Sequence, residues 1–196
     1  MNNRTTSENP LKRLSLTNPV HLLALGFGSG LIHPAPGTWG SIAGWIAGLA
    51  ILMLAGEVTL FLCAGLVFFV SLKIVSDYER RVGAHDNSEI VIDEVVGVWI
   101  AMCVAAPVGE IFSLPLPELI AGFESSRISI VAMILALLFF RAFDIRKPSI
   151  IGRVDRDVKG GLGVMLDDVL AGFFAGLGVL IVISLGVKLG AAGLIF

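Results

Sequence analysis

Long apolar runs alternate with short polar segments over most of the chain, and this pattern predicts helices that cross a membrane. A helix needs about 20 predominantly apolar residues to cross the hydrocarbon core of a bilayer. Five runs approach that length. They lie at 38–55, 58–76, 95–108, 128–143 and 168–187. The pattern therefore predicts an all-α fold, a polytopic transmembrane helix bundle with about five spans.

The first 32 residues do not follow this pattern. Residues 1–19 are polar and have no periodic apolar face, so they are predicted to form an N-terminal tail. Residues 20–32, VHLLALGFGSGLI, are too short and too rich in glycine to cross a bilayer, and they predict an interfacial or re-entrant helix. No polar linker divides the remainder, so 20–196 is predicted to be one membrane-embedded domain.

The positive charges are distributed unevenly between the segments that connect the predicted spans. If the tail is cytoplasmic, 12 of the 14 Lys and Arg residues fall on the inner side of the membrane. Cytoplasmic loops of membrane proteins carry such an excess. The acidic loop 109–127 is then external, and the polar segments 25–40, 77–94 and 143–172 meet at the cytoplasmic face. We therefore expect a multi-pass protein whose site faces the cytoplasm.

The composition supports a membrane protein. The chain is 56% hydrophobic and 15% charged, with a mean hydropathy of +0.89, whereas soluble domains are about 25% charged. The pI of 5.9 argues against nucleic acid as a partner, so membrane lipids are the expected neighbours. Small residues at helical spacing, Gly40, Gly44 and Gly48 and then Gly172 and Gly176, favour close helix contacts. The sequence predicts no particular oligomeric state.

Five acidic residues are predicted to approach one membrane depth from three helices. They are Asp93 and Glu94 before the third span, Asp144 at the end of the fourth, and Asp167 and Asp168 at the start of the fifth. Capping of helix N-termini explains one acid of each pair, but neither the doubling nor Asp144. Grouped carboxylates need a compensating cation, and oxygen donors without a His or Cys cluster favour Mg²⁺. Structural caps and ion pairs are the alternative to a metal site.

Basic residues follow the fourth predicted span and form the other half of the expected site. They are Lys147, Arg153, Arg156 and Lys159. Such residues suit a phosphate-rich substrate, because Arg donates bidentate hydrogen bonds and Lys supplies a point charge. The alternative explanation is the excess of positive charge on the inner side, together with attraction to anionic lipids.

A segment rich in glycine and proline, GFGSGLIHPAPGTWGS, precedes the first span and cannot form one regular helix. Irregular backbone near a membrane is tolerated where protein or water covers it. The segment is therefore predicted to form a wall of the site, with Ser29 and Thr38 as hydrogen-bond donors to the substrate.

Several of these segments together resemble the phosphatidylglycerophosphatase A family. The blocks that carry the resemblance are GFGSGL with PGTWGS, IVIDEVVG, FDIRKP followed by VDR, and GGLGVMLDDVLAG, which cover 21–178 in the family's order. Two departures are visible. Ser149 and Ile150 follow the KP dipeptide where the family has a Trp-Pro-like pair, and the loop 109–127 is longer than is usual.

The resemblance implies Mg²⁺-dependent hydrolysis of the terminal phosphate monoester of phosphatidylglycerophosphate, which gives phosphatidylglycerol and inorganic phosphate. It further implies a location in the bacterial inner membrane, with the site in the cytoplasmic leaflet. The expected catalytic acids are Asp93, Glu94, Asp144, Asp167 and Asp168, and the expected metal ligands are Asp93, Glu94, Asp144 and Asp168. Lys147 and Arg156 match the cationic positions of the family.

Two other classes of protein would also place acids in a helix bundle. A phosphotransferase that joins a CDP-lipid to an alcohol also uses Mg²⁺ and paired acids, but it needs a long DxxDGxxAR-type motif that the sequence lacks. A cation transporter usually carries its acids near the middle of the bilayer, whereas these acids are predicted at one boundary.

Overall fold

The computed structural model describes residues 22, 24–82, 90–106 and 130–189, and every regular element in these ranges is helical. The predicted all-α fold is therefore confirmed for this part of the chain. The elements are a 3-10 turn Gly26–Leu31, α1 Pro36–Val82, α2 Ile92–Ala105, α3 Ile130–Arg146, α4 Ser149–Asp157 and α5 Gly161–Lys188. The predicted tail 1–19 and the acidic loop 109–127 lie outside the described residues.

The long element α1 is interrupted at Gly56, whose φ of 80° and ψ of 177° lie outside the helical region. A positive φ favours glycine because glycine has no Cβ. The element folds back at this point into two arms, 36–55 and 57–82, since Ala43 and Ala47 of the first arm line the same small cavity as Val67 of the second. The arms correspond to the predicted segments 38–55 and 58–76.

The helix α2 lies at the centre of the bundle, in contact with α1, α3 and α5, and most of its residues are buried. Glycines allow its neighbours to approach. A Cβ on Gly44 of α1 would lie 3.0 Å from the Cα atom of Val95, and one on Gly172 of α5 would overlap the carbonyl oxygen of Gly97. The predicted small-residue contacts are confirmed, and α2 is the helix on which both sets converge.

Two tryptophans join helices through hydrogen bonds to backbone carbonyls. Trp99 Nε1 of α2 donates to the Gly44 carbonyl at 2.7 Å, and Trp45 Nε1 of α1 donates to the Met133 carbonyl of α3 at 2.8 Å. A buried indole N–H needs such a partner. These bonds hold the first arm of α1 against α2 and α3, the helices that bring acids to one end of the bundle.

Two described segments, Pro36–Ser76 and Gly161–Gly186, are long and apolar enough to cross a membrane. Only 22% and 33% of their most apolar windows are buried, whereas the core helix of a soluble protein would be mostly buried. Many of their exposed side chains are large and apolar, including Met53, Leu54, Phe61, Leu66, Phe69, Ile181 and Leu185. An exposed apolar surface of this extent fits contact with lipid.

The fifth helix begins earlier than predicted, at Gly161 and not at 168. The GGLG stretch predicts a turn because glycine lowers helix propensity. Gly161, however, packs against the Leu72 carbonyl oxygen and Ser76 of α1, where no side chain fits. Asp167 and Asp168 consequently lie in the second turn of α5, so the prediction that they begin this helix is wrong.

The sequence predicts no helix between the fourth and fifth spans, yet Ser149–Asp157 form α4, which buries Ile151 and exposes Arg153. In the described part of the predicted interfacial or re-entrant helix at 20–32, residues 22 and 24 are helical and the 3-10 turn Gly26–Leu31 follows them. Positive φ values at Phe27 and Gly28 interrupt the regular helix there.

Candidate active site

Three carboxylates from two helices converge at one end of the bundle. Asp93 and Glu94 lie in the first turn of α2, and Asp168, only 4% exposed, lies in the second turn of α5. One oxygen of each lies within 4.8 Å of the other two. Carboxylate oxygens at such a spacing suit a hard divalent cation. The structure thus brings together three of the four predicted metal ligands, and we call them the acid triad.

Close contact between α2 and α5 produces this convergence. Gly97 of α2 lies against Phe140 and Asp168, and a Cβ on Gly97 would lie 2.8 Å from the backbone oxygen of Asp168. No side chain fits between the two backbones at this level. The first turn of α2 therefore stands beside the second turn of α5, which places their acids next to each other.

The other two predicted acids line the same cavity but form ion pairs. Asp144 pairs with Arg141, one turn earlier on α3, and Asp167 accepts a hydrogen bond from Lys147 Nζ at 2.7 Å. Ion pairing, which the sequence leaves open as an alternative to metal binding, accounts for these two acids. It does not account for the acid triad.

The acid triad contains buried oxygens whose hydrogen bonds are not made. Asp93 Oδ1 and Glu94 Oε2 have no hydrogen-bond partner among the described residues. Both residues precede the predicted span 95–108. The pKa of Asp93 is raised well above its usual value, and the pKa of Glu94 is raised to about 7. Burial is the largest cause of both shifts. A buried polar atom without a partner costs about 1–3 kcal/mol. A divalent cation would satisfy these oxygens and their charge, so the residues fit Mg²⁺.

A cavity of about 510 Å³ opens beside the acid triad, within the size range of small-molecule sites. All five predicted acids line it. Its other polar or backbone-exposing residues are Gly37, Arg141, Lys147, Lys159 and Gly160. The predicted substrate-binding residues Lys147 and Lys159 therefore lie at the cavity.

Four other predicted substrate-binding residues do not line the cavity. The Ser29 hydroxyl donates to the Gly26 carbonyl at 2.8 Å, which closes its own 3-10 turn. Arg153 and Arg156 are exposed on α4. Thr38 accepts a hydrogen bond from Arg141 Nη2 at 3.2 Å, so it contacts a residue of the cavity and not the cavity itself. The predicted role of Ser29 as a donor to the substrate stays a prediction, and in this structure its hydroxyl proton is used within the turn.

Arg141 is a charged residue of the cavity that is absent from the site predicted from the sequence. Its side chain is 17% exposed, pairs with Asp144, and donates from Nη1 to the Ser41 hydroxyl at 3.3 Å. A signal was present in the sequence. Arg141 is a charged residue inside the predicted apolar span 128–143, one helical turn before Asp144, and charges within spans mark functional sites.

The fold and the site together define a class of protein. The described helices form a bundle with an apolar outer surface, and a carboxylate cluster suited to a divalent cation lies in a cavity at one end, beside basic side chains. An anionic group that enters this cavity meets basic side chains and carboxylates that could hold a metal ion, an arrangement that suits a membrane enzyme acting on phosphate esters.

Comparison with known proteins identifies the member of this class. The family described as phosphatidylglycerophosphatase A matches residues 22–183, and the chain belongs to that family. It is therefore a phosphatidylglycerophosphatase, a phosphomonoesterase of phosphatidylglycerol biosynthesis. The predicted resemblance is confirmed, and the match decides against the phosphotransferase and the transporter.

The similar proteins cover most of the chain. A phosphatidylglycerophosphatase A of Haemophilus influenzae is 43% identical over 170 residues, which is 87% of this chain and 92% of that protein. One of Escherichia coli is 34% identical over 168 residues, or 82% and 81%. A protein of Bacteroides thetaiotaomicron with the provisional name phosphatidylinositol-3-phosphatase is 34% identical over 158 residues, or 79% and 87%. No solved structure matches the chain.

Proposed function

We propose that the protein hydrolyses the terminal phosphate monoester of phosphatidylglycerophosphate with Mg²⁺, at the cytoplasmic face of the inner membrane, and that its helices cross this membrane five times. The products are phosphatidylglycerol and inorganic phosphate. One observation carries the proposal. The acid triad brings three carboxylate oxygens within 4.8 Å of one another beside a cavity of about 510 Å³, in a chain of the phosphatidylglycerophosphatase A family.

The position of the cavity suits a lipid substrate. It lies where α2 and α5 begin and α3 ends, and Gly160, just before α5, lines it. The outer surfaces of α1 and α5 are apolar, so the acyl chains can stay in the bilayer while the phosphorylated headgroup enters the cavity. The reaction then needs no extraction of the lipid from the membrane.

The acid triad of Asp93, Glu94 and Asp168 would hold the metal. When bound, Mg²⁺ supplies positive charge and Lewis acidity to the phosphate ester. Asp144 and Asp167, each paired with a basic residue, lie in the same cavity outside the triad, and one of them would accept a proton from the attacking water and pass it to the leaving alcohol. Lys147, held by Asp167 at 2.7 Å, and Lys159 provide positive charge for the phosphate oxygens.

Metal dependence is tested by phosphate release from phosphatidylglycerophosphate in detergent. We expect turnover with Mg²⁺, none after removal of metal with EDTA, and full recovery when Mg²⁺ is restored. Turnover that is unchanged in EDTA would reject the metal-dependent reaction. Phosphatidylinositol 3-phosphate serves as the comparison substrate, because one relative carries that name, and its faster hydrolysis would reject phosphatidylglycerophosphate as the preferred lipid.

Sidedness is tested with single cysteines at two exposed positions, one at the end of α4 just before α5 and one at the last residue of α5. Asp157→Cys lies near the cavity end and Lys188→Cys at the opposite end, in a background where Cys63 and Cys103 are replaced by alanine. A membrane-impermeant thiol reagent should label only Lys188→Cys in spheroplasts and only Asp157→Cys in inverted vesicles. The reverse result would place the cavity outside the cytoplasm, and labelling of both positions from one side would exclude a crossing by α5.

A further inference from the structure

We propose that Arg141 binds the phosphoryl oxygens of the substrate beside the acid triad, with Ser41 and Thr38 as positioning residues. This inference rests on the proposed phosphate-ester hydrolysis and assigns a residue to the recognition of the reacting group. The charge inside the predicted span 128–143 marks Arg141 in the sequence, and the structure supplies the contacts on which the assignment rests.

The guanidinium group stands next to the acid triad. The position that a Cβ on Gly37 would occupy is 3.5 Å from Arg141 Nη1, and the same atom would overlap the Glu94 carboxylate. Arg141 and Glu94 therefore approach one point from α3 and α2. A phosphate ester that contacts a cation in the triad lies within reach of this guanidinium.

Hydroxyl groups hold Arg141 in this orientation. Nη1 donates to the Ser41 hydroxyl at 3.3 Å, and Nη2 donates to the Thr38 hydroxyl at 3.2 Å. The Ser41 hydroxyl in turn donates to the Gly37 carbonyl at 2.7 Å, so the first turn of α1 fixes it. A guanidinium whose rotamer is set in advance loses less freedom when it binds an anion.

Arg141 also retains hydrogen-bonding capacity. Its Nε is buried and has no partner among the described residues, although an arginine offers five N–H donors. The remaining donors of the group suit the oxygens of a phosphate, which arginine binds bidentately. Among the other basic residues of the cavity, Lys147 is held by Asp167 and Lys159 is exposed.

A purely structural role is the competing explanation. Arg141 would then serve only to neutralise Asp144, its partner one turn later. Neutralisation of Asp144 does not require the two hydroxyl contacts from α1, nor a place in the wall of the cavity. The two explanations predict different results when both charges are removed together.

Inorganic phosphate is the probe, because it is the reaction product and carries the same oxygens as the substrate. Its inhibition constant is measured in the wild type, in Arg141→Gln and Arg141→Lys, and in the control Arg146→Gln, an exposed arginine at the end of the same helix. We expect the constant to rise about 10- to 100-fold in Arg141→Gln, the range for loss of charge-assisted hydrogen bonds. The inhibition constant of Arg141→Lys should lie between those of the wild type and Arg141→Gln. The constant of Arg146→Gln should stay within about twofold of the wild-type value.

A second comparison guards against a folding defect. The double variant Arg141→Gln/Asp144→Asn removes both members of the ion pair and leaves no unpaired charge. It is compared with Asp144→Asn alone. The measurement is the rise in unfolding temperature on addition of inorganic phosphate, with Mg²⁺ present and no substrate. We expect that rise only in Asp144→Asn. Equal rises in both variants would show a structural ion pair and overturn the proposal.

The positioning role has its own readout. Thr38→Val should raise the inhibition constant for phosphate and the KM for the lipid by the same factor, with the folded fraction unchanged. If the wild type hydrolyses the lipid but Arg141→Gln keeps the wild-type inhibition constant, this inference fails while the proposed function stands. If the wild type releases no phosphate, the proposed function fails first.

Discussion

Replacement of Gly37 by alanine tests whether the position of Glu94 determines activity. Gly37 lies in the first turn of α1, and a Cβ there would overlap Glu94 Oε1 and lie 3.3 Å from Glu94 Cδ. The atom that must give way is the end of a flexible side chain. The carboxylate can therefore move away without disturbing a backbone, and the change acts on the acid triad and not on helix packing.

The size of the effect follows from the displacement. Ordinary van der Waals contact requires Glu94 Oε1 to move by about 1 Å, whereas the triad oxygens now lie within 4.8 Å of one another. A misplacement of about 1 Å in a catalytic constellation can reduce the rate about 100-fold. Alanine favours a helix more than glycine by about 1 kcal/mol, so the folded state should not be weakened by the backbone.

Phosphate release is measured against Mg²⁺ concentration in Gly37→Ala and in Gly65→Ala, alongside the temperature of unfolding in detergent. Gly65 is a matched control, since it lies in the second arm of α1 and a Cβ there meets nothing within 4 Å. We expect Gly37→Ala to need more Mg²⁺ and to turn over about 100-fold more slowly, with Gly65→Ala unchanged. The reasoning would be refuted if Gly37→Ala kept the wild-type turnover at the Mg²⁺ concentration that the wild type needs. It would also be refuted if a fall in the unfolding temperature of Gly37→Ala accounted for its loss of turnover.

Three further predictions concern the metal and the helix contacts. Asp168→Asn should abolish phosphate release while the protein still inserts and purifies, whereas the exposed Asp157→Asn should keep wild-type turnover; activity in both would contradict a catalytic metal held by Asp168. Gly172→Ala should destabilise the fold by about 1–3 kcal/mol, because its Cβ meets the backbone of Gly97, and melting curves that coincide with those of Gly65→Ala would contradict this. Added Mg²⁺ should raise the unfolding temperature of the wild type but not of Asp168→Asn, and an equal rise in both would place the ion elsewhere.

The sequence predicts the elements of this fold better than their ends. Apolar periodicity locates the helical segments, and the break between 38–55 and 58–76 appears in the structure at Gly56. The sequence places the start of α5 too late, because the glycines before 168 have a low helix propensity. The helix tolerates these glycines because Gly161 packs against the second arm of α1, where no side chain fits. A local sequence pattern does not reveal such a contact between distant segments.

Residue chemistry likewise predicts which acids meet in one cavity but not which of them form ion pairs there. Five carboxylates reach one cavity as predicted, yet Asp144 and Asp167 pair with basic residues, whereas the acid triad forms no such ion pair within the described ranges. The division depends on which side chains face each other across α2, α3 and α5. A single sequence contains no direct record of these distances, so it leaves the ligand set open.

The acidity of the cavity constrains how an anionic lipid can use it. A phosphate monoester carries a charge of about −1.5 to −2 near neutral pH, and the triad alone presents three carboxyl groups. Of the three basic side chains that line the cavity among the described residues, Arg141 and Lys147 already face Asp144 and Asp167, which leaves only Lys159 to offset the triad. Without a further cation the substrate would therefore meet net repulsion, and like charges in a poorly solvated site are costly. The same carboxyl groups that make the empty cavity unfavourable for phosphate make it favourable for a divalent ion, so lipid affinity in this protein should depend on Mg²⁺ even in a variant that cannot complete hydrolysis.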